Sequence, residues 1–282
     1  MSRSNKNPQH IEYNEEDFKE RRIVKNPPSS FCNKERVHFV DADSLLFICT
    51  YSPVDKETGE IPELEFEEVT YRLREKLAEI QLNIEEFYNI KQTFLFVGGK
   101  NNFRYKLYPE YKSNRKSEKP KWFYELKDYL INELGAIPAI QGEADDLIYE
   151  SYKMSEGNCV ISTIDKDIMI NAPNTPLYNY RSYDDVVGEW KQINTKESRL
   201  AIATQVICGD TTDFIKGAFG VGKAWCDKHL HENMSNYQFV KNILGAYLKA
   251  NKGNMKQAKE DAKLNYKLLK LYTQEEINAL LL

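Results

Sequence analysis

Apolar positions recur along this chain in two periods that alternate. Between 66 and 88 the residues Val69, Leu73, Leu77, Ile80 and Ile84 fall three or four apart with charges opposite, which predicts an amphipathic helix. Short apolar runs at 36–41, 93–97 and 159–163 are rich in β-branched and aromatic residues and predict buried strands. A short strand at 137–140 and another at 175–180 fit the same pattern. Helical spacing returns after 43, at 121–134, after 144, at 196–208, 235–250, 255–272 and 275–282. Thr273 followed three residues later by Glu276 is a capping box for the last helix. Strands thus alternate with helices in the first two thirds of the chain, helices fill the last third, and no internal repeat is visible.

Two stretches fall outside these periods. Residues 1–34 are polar, with Pro27, Pro28, Ser29 and Ser30 before the first apolar run, and read as a flexible or loosely docked extension with a short helix near 15–23. Residues 51–63 hold Pro53, Gly59 and Pro62 and read as a loop.

Composition narrows the class. The chain has 282 residues, 41% hydrophobic and 29% charged, as expected for a soluble protein with a real core. The net charge of −4 does not announce a nucleic-acid binder, but its distribution is uneven. Residues 51–90 carry eleven acids against four bases, whereas 100–121 carry eight bases against two acids. The five cysteines are scattered without a C-x-x-C pair, which predicts reduced thiols in a reducing compartment. No apolar run is long enough to span a bilayer and no signal peptide is present, so the expectation is a cytoplasmic protein with no membrane partner.

Candidate chemistry sits where the predicted strands end. Glu143, Asp145 and Asp146 open one helix, Asp165 and Asp167 follow the strand at 159–163, and Asp41 and Asp43 close the strand at 36–41. Ligands bind outside the carboxyl ends of strands in an open parallel sheet. Each group also has a plain explanation: acids suit the first turn of a helix, Asp41 could cap the helix that follows it, and Asp-Lys-Asp could be a solvated turn. Converging together they would repel one another unless a cation lay among them, and oxygen donors without His or Cys point to Mg²⁺ or Mn²⁺ rather than zinc. In the basic stretch, Arg104, Lys106, Lys112, Arg115 and Lys116 interleave with Tyr105, Tyr108 and Tyr111. Cations there would meet phosphates and rings would meet bases of a single strand; a solvated loop is the alternative. Phe-Gly-Val-Gly-Lys (219–223) looks like a glycine hairpin opening a helix, where exposed N–H groups can bind a phosphate, or an ordinary turn. Lys259, Lys263, Lys267 and Lys270 form a basic stripe read as a solvated face.

With these motifs in this order, the chain resembles the flap endonuclease (5′ nuclease) family. The resemblance spans about residues 36–230 and is carried by Glu-Ala-Asp-Asp (143–146), Ser-Thr-Ile-Asp-Lys-Asp (162–167), Gly-Asp-Thr-Thr-Asp-Phe-Ile-Lys-Gly-Ala-Phe-Gly-Val-Gly (209–222) and Tyr-Pro-Glu-Tyr-Lys-Ser-Asn-Arg (108–115). It implies an α/β fold, a mixed, mostly parallel sheet flanked by helices (the PIN-like 5′ nuclease fold), with a nuclease domain over 35–282. Within it the resemblance implies an arch segment at about 100–121, a helix–three-turn–helix at about 200–232, and C-terminal helices. It implies two-metal hydrolysis of phosphodiester bonds near 5′ ends of DNA or RNA primers, in replication or repair, by a monomer in a bacterial or phage-infected cytoplasm. Asp41, Glu143 and Asp145 would hold one Mg²⁺, with Asp146 beside it. Asp165, Asp167 and Asp213 would hold a second, with Asp210 adjacent; Mn²⁺ could substitute. Tyr111, Lys112 and Arg115 would sit over the single strand. Gly217, Gly220, Gly222 and Lys223 would grip duplex DNA, with K⁺ as a further candidate ion. RNA–DNA hybrids and replication proteins are the further partners implied.

One position departs from the family, which commonly has a further metal-site Asp just after the strand equivalent to 93–97. Here Gly98, Gly99 and Lys100 follow. Either Asp43 fills the role or the site is weaker, with Gly99 the place to restore the acid. Two other readings are a non-catalytic binder of branched DNA and a haloacid-dehalogenase-like phosphatase with Asp41 as nucleophile.

Overall fold

A seven-stranded sheet forms the centre of the computed structural model, which describes residues 23–26, 32–52, 62–183 and 186–281. Its strands are β1 (Ile23–Lys25), β2 (Cys32–Asp41), β3 (Tyr88–Val97), β4 (Ile137–Pro138), β5 (Cys159–Ser162), β6 (Leu177–Tyr183) and β7 (Val186–Lys191). The order across the sheet is β1-β7-β6-β5-β2-β3-β4, with only β6 and β7 antiparallel. The mixed, mostly parallel sheet expected from the sequence is therefore present. The helix expected near 15–23 lies outside the described residues except for Ile23, which is in β1, and of the loop expected at 51–63 residues 53–61 lie outside them. Part of the polar extension is structured, since β1 adds an edge strand beside β7.

Strands β5, β2 and β3 lie side by side, and the side chains toward their carboxyl ends alternate between two cores. Val40, Leu95, Val97 and Val160 face α1 (Asp43–Thr50), α2 (Phe66–Glu85) and α4 (Phe123–Asn132). Phe39, Phe96, Cys159 and Ile161 face α5 (Ala144–Met154) and α6 (Lys166–Asn171). A short α3 (Arg104–Leu107) lies between β3 and α4. Helix α2 buries Val69, Leu73, Leu77, Ile80 and Ile84, the stripe read from the sequence, each contributing about 1.5–3 kcal/mol of apolar burial. His38, buried in the central strand, bridges Ser162 Oγ at 2.7 Å and Thr93 Oγ1 at 3.3 Å, and burial lowers its pKa to about 3.

Beyond the sheet, α7 (Thr195–Cys208) leads into a two-residue ladder of β8 (Gly209–Asp210) with β9 (Ile215–Lys216) and then α8 (Lys223–His229). With α9 (Asn236–Ala250) and α10 (Met255–Leu269) these form a third core around Ala203, Ile207, Ile215 and Tyr247. Helix α11 (Gln274–Leu281) carries the expected capping box, with Thr273 N donating to Glu276 and Glu276 N donating to Thr273 Oγ1.

Several elements differ from the sequence pattern. Strand β3 begins at Tyr88 rather than 93, because parallel pairing with β2 extends it through polar residues that periodicity cannot mark. Strand β7 escapes the pattern because Gly188, at φ +77° and packed on the Tyr178 ring, interrupts it. Asp-Lys-Asp is not a turn: Asp165 caps α6, accepting from Asp167 N at 2.7 Å. Lys270 leaves the basic stripe, pairing with Glu276 at 2.8 Å. No described helix is long and apolar enough to cross a membrane. The described cysteines 49, 159, 208 and 226 are free thiols.

Candidate active site

The carboxyl ends of β2 and β5 are neighbours in the sheet, so Asp41 and the residues after Ser162 are brought together by pairing alone. Asp41 is anchored there, accepting from Thr163 Oγ1 at 2.9 Å and Ser44 Oγ at 3.2 Å. Helix α5 points its N-terminus at the same place and delivers Glu143 and Asp145. The start of α6 delivers Asp165 and Asp167, and the 210–213 turn delivers Asp210 and Asp213. A cleft forms there, lined by Glu143, Asp145, Asp165, Asp167, Asp210 and Asp213 together with Tyr111, Lys112, Arg115 and Lys166.

The electrostatics divide this cluster. Burial and the nearby Asp43 raise the pKa of Asp41 to about 7. Burial and Asp165 do the same for Asp167, to about 7. Asp145 is pushed well above the carboxylate range by burial and by Asp165, Asp41 and Glu143. Burial raises Asp165 as well. Glu143 and Asp210 go the other way: burial opposes the shift, but Lys112 and Arg104 hold Glu143 low, and Lys166 holds Asp210 low. Lys112 bonds Glu143 and lies 3.7 Å from Asp213, and those two acids keep its ammonium charged against burial. Arg115 donates to Asp213 at 2.7 Å.

The donor set fits hard divalent cations. It offers oxygen ligands only, and at Asp41, Asp145, Asp165 and Asp167 burial and neighbouring acids outweigh what Lys112 and Lys166 contribute, so their pKa values stay raised. Among the described residues no three His, Cys, Asp or Glu side chains already stand as a ready ligand group. Lys112 instead neutralises Glu143 and Asp213.

Four expectations from the sequence need correction. Arg104 is 1% exposed and spent on internal partners, so it does not contact nucleic acid. Asp146 faces Arg104 rather than the open cluster: its two oxygens take four donors, from Arg104 NH1 and NH2 and from the backbone N of Glu143 and Tyr272. Tyr111 is 2% exposed, so its ring cannot stack on a base; its hydroxyl lies 3.0 Å from Glu143 and 2.9 Å from Asp213. Gly99 is not a place for an acid, because a Cβ there would overlap the Ala139 carbonyl. Gly98 is the residue that faces the cluster: a Cβ on it would lie 2.5 Å from Asp43 Oδ2. Asp43 therefore already occupies the space beside the end of β3. Gly99→Asp should lower the thermal midpoint, by about 1–3 kcal/mol or more of stability, with no gain in metal affinity; thermal denaturation with and without Mg²⁺ checks both.

Lys106 and Lys116 are exposed, as expected of a basic surface. Of the hairpin glycines, Gly217 serves packing: a Cβ would strike the Cys208 backbone. Gly220, at φ +70°, and Gly222 face open space, and Lys223 is exposed, paired with Asp227 at 2.7 Å. Sequence reasoning missed Gln205 and Lys166, which hold Asp167 and Asp210. Nothing in their local pattern marks them, since their partners lie on other elements.

No family model matches the chain. It is 30% identical over 187 residues to a 5′–3′ exonuclease of Aquifex aeolicus, covering 62% of each, so the chain spans less than two thirds of that relative. It is 26% identical over 190 residues to flap endonuclease Xni of Shewanella amazonensis, covering 61% of this chain and 71% of the relative. Among solved structures, the T5 D15 protein co-crystallised with metal ions superposes with a TM-score of 0.60 at 18% identity, covering 84% of this chain and 90% of that one.

Proposed function

We propose that this chain is a member of the flap endonuclease (5′ nuclease) family and a divalent-metal-dependent nuclease that hydrolyses phosphodiester bonds near the 5′ ends of DNA. The observation that carries the reading is the cleft where Glu143, Asp145, Asp165, Asp167 and Asp213 meet Lys112 and Arg115. Asp41, Glu143 and Asp145 would hold one Mg²⁺ or Mn²⁺ ion, and Asp165, Asp167 and Asp213 a second, with Asp210 behind them. When bound, such ions supply positive charge to the scissile phosphate and lower the pKa of water.

The side chains do the rest. Lys112, kept protonated by Glu143 and Asp213, presents an ammonium that can transfer to a phosphate oxygen as charge develops there. Arg115, half exposed beside it, offers a planar fork for the same group. Tyr111 holds Glu143 and Asp213 at one spacing from beneath, with its ring 5.0 Å from the Lys112 ammonium. Lys106 and Lys116 extend the positive surface along a single strand. Recognition is of shape and 5′ end, because these contacts go to the backbone. RNA primers and RNA–DNA hybrids fit the same contacts, as do a monomeric state, replication proteins as partners and a cytoplasmic setting. The rival phosphatase reading is not favoured, since the relatives this chain resembles are a 5′–3′ exonuclease and a flap endonuclease.

A 5′-labelled flap duplex incubated with Mg²⁺, Mn²⁺ or EDTA tests the proposal. Cleavage in either metal and none in EDTA is expected; tight binding without cleavage in both metals would mean a branched-DNA binder instead. The hairpin around Gly220, Gly222 and Lys223, with K⁺ as a candidate ion, would grip the duplex. Lys223→Ala should weaken duplex affinity and reduce the slope of log affinity against log salt by about one charge, with the single-turnover rate at saturation kept. Binding titrations over a salt series check this.

A further inference from the structure

Arg104 and Asp146 form an ion pair sealed from solvent, 1% and 2% exposed. The pairing is two-pronged, at 2.6 and 2.9 Å. Arg104 borders the cleft, 4.0 Å from Glu143 Oε2, but its donors are taken by internal partners, and Asp146 lies behind it, away from the lining. Their remaining side-chain bonds run to two parts of the chain, the 268–272 stretch and the start of α5. Arg104 opens α3, four residues from the turn that ends in Tyr111 and Lys112, and donates to the carbonyls of Leu268 at 2.8 Å and Lys270 at 2.9 Å. Asp146 accepts from the backbone N of Glu143 at 3.0 Å, fixing the first turn of α5, and from Tyr272 N at 3.1 Å.

A buried pair of this kind is weak evidence for stability, since desolvation offsets much of the attraction. What it fixes is geometry: a planar guanidinium bonded on four of its N–H groups allows one placement of the carboxylate. That carboxylate holds the turn that carries Glu143 and Asp145, and the arginine begins the segment that carries Lys112.

We infer that Arg104 and Asp146 are a positioning pair, coupling the base of the basic segment and the 268–272 stretch to the start of α5, and so setting where Glu143 and Asp145 stand relative to Lys112. The inference rests on the nuclease reading for its rate readout. It gives the end of α10 and the stretch after it a part in the chemistry: Leu268, Lys270 and Tyr272 supply three of the pair's backbone partners.

Two variants and a double variant test it. Arg104→Lys keeps the charge and loses the fork. Asp146→Asn keeps the shape and loses the charge. Arg104→Met combined with Asp146→Leu replaces the pair with apolar side chains, a change that often leaves stability intact. In each, the single-turnover rate on a saturating 5′-flap duplex should fall by about 10²-fold, the scale of a misplacement of about 1 Å. Calorimetric titration of the DNA-free protein with Mn²⁺ should show affinity weaker by roughly tenfold, as when a group supporting a metal ligand is lost. Affinity for the flap in EDTA should stay within about twofold, because the duplex grip is elsewhere. A folded double variant with wild-type rate and wild-type Mn²⁺ affinity would overturn the inference, as would a loss of flap affinity that accounts for the whole rate change. If the wild type itself leaves the flap uncut, the nuclease reading fails instead, and the Mn²⁺ titrations alone judge the pair.

Discussion

Asp165→Ala and Asp145→Ala should each abolish metal-dependent cleavage while raising the thermal midpoint measured in EDTA. Both acids sit where burial and neighbouring carboxylates press on their charge. Without metal that charge is a liability, and removing one acid relieves Asp41 and the other acids of the cluster. With metal it is the source of affinity. The expected loss of rate is about 10³-fold or more, of the order of losing a principal electrostatic element of the site. The same conflict sets a pH dependence. Asp41 and Asp167 have folded pKa values of about 7, above the ordinary value near 3.8. In the unfolded chain these acids ionise near pH 4, so between pH 4 and 7 the folded protein binds more protons. Stability in EDTA should therefore be greatest toward pH 5 and fall as pH rises through about 7. Saturating Mg²⁺ should flatten that fall, and apparent metal affinity should rise over the same interval. Thermal melts from pH 5 to 8, with EDTA and with Mg²⁺, measure both. A midpoint in EDTA that climbs with pH, or mutants that cut at the wild-type rate, would contradict the assignment.

Lys112→Ala should slow single-turnover cleavage by about 10²-fold at saturating substrate, with flap affinity changed far less. The ammonium sits between Glu143 and Asp213, on a residue held at φ +55° by a bond from its N–H to the Asp213 carbonyl at 2.9 Å. A left-handed backbone at a non-glycine residue is uncommon and is maintained only where the surroundings fix it. Alanine bears the same backbone cost as lysine, so the comparison isolates the side chain. Losing the cation also leaves Glu143 and Asp213 facing one another, so the midpoint in EDTA should drop while that in Mg²⁺ moves less. A rate at saturation equal to wild type would remove Lys112 from the chemistry and leave it as a counter-charge only.

Much of this was readable in the sequence. The stripe of α2, the buried run of β5 and the capping box at Thr273 are local: their periods and spacings are set by residues within a turn or two, and the structure follows them. That the acids after β2 and β5 converge also followed from pattern, since parallel neighbours place their carboxyl ends side by side. Which charged side chain faces the cleft was decided by tertiary structure. Arg104 and Tyr111 read as members of an exposed basic, aromatic segment, yet both are buried, because the chain after α10 and the 210–213 turn close over them with carbonyl and carboxylate partners far away in sequence. Asp146 stands one residue from Asp145 and has the same chemistry. The helical step turns it away from the cluster toward Arg104, where ion pairing is worth more than exposure to like charges. The space beside β3 was settled the same way: Gly98 leaves it open, and Asp43, delivered by the first turn of α1, fills it. Periodicity fixes which face of an element is apolar, but the partner of a buried charge depends on contacts that close only when distant segments pack.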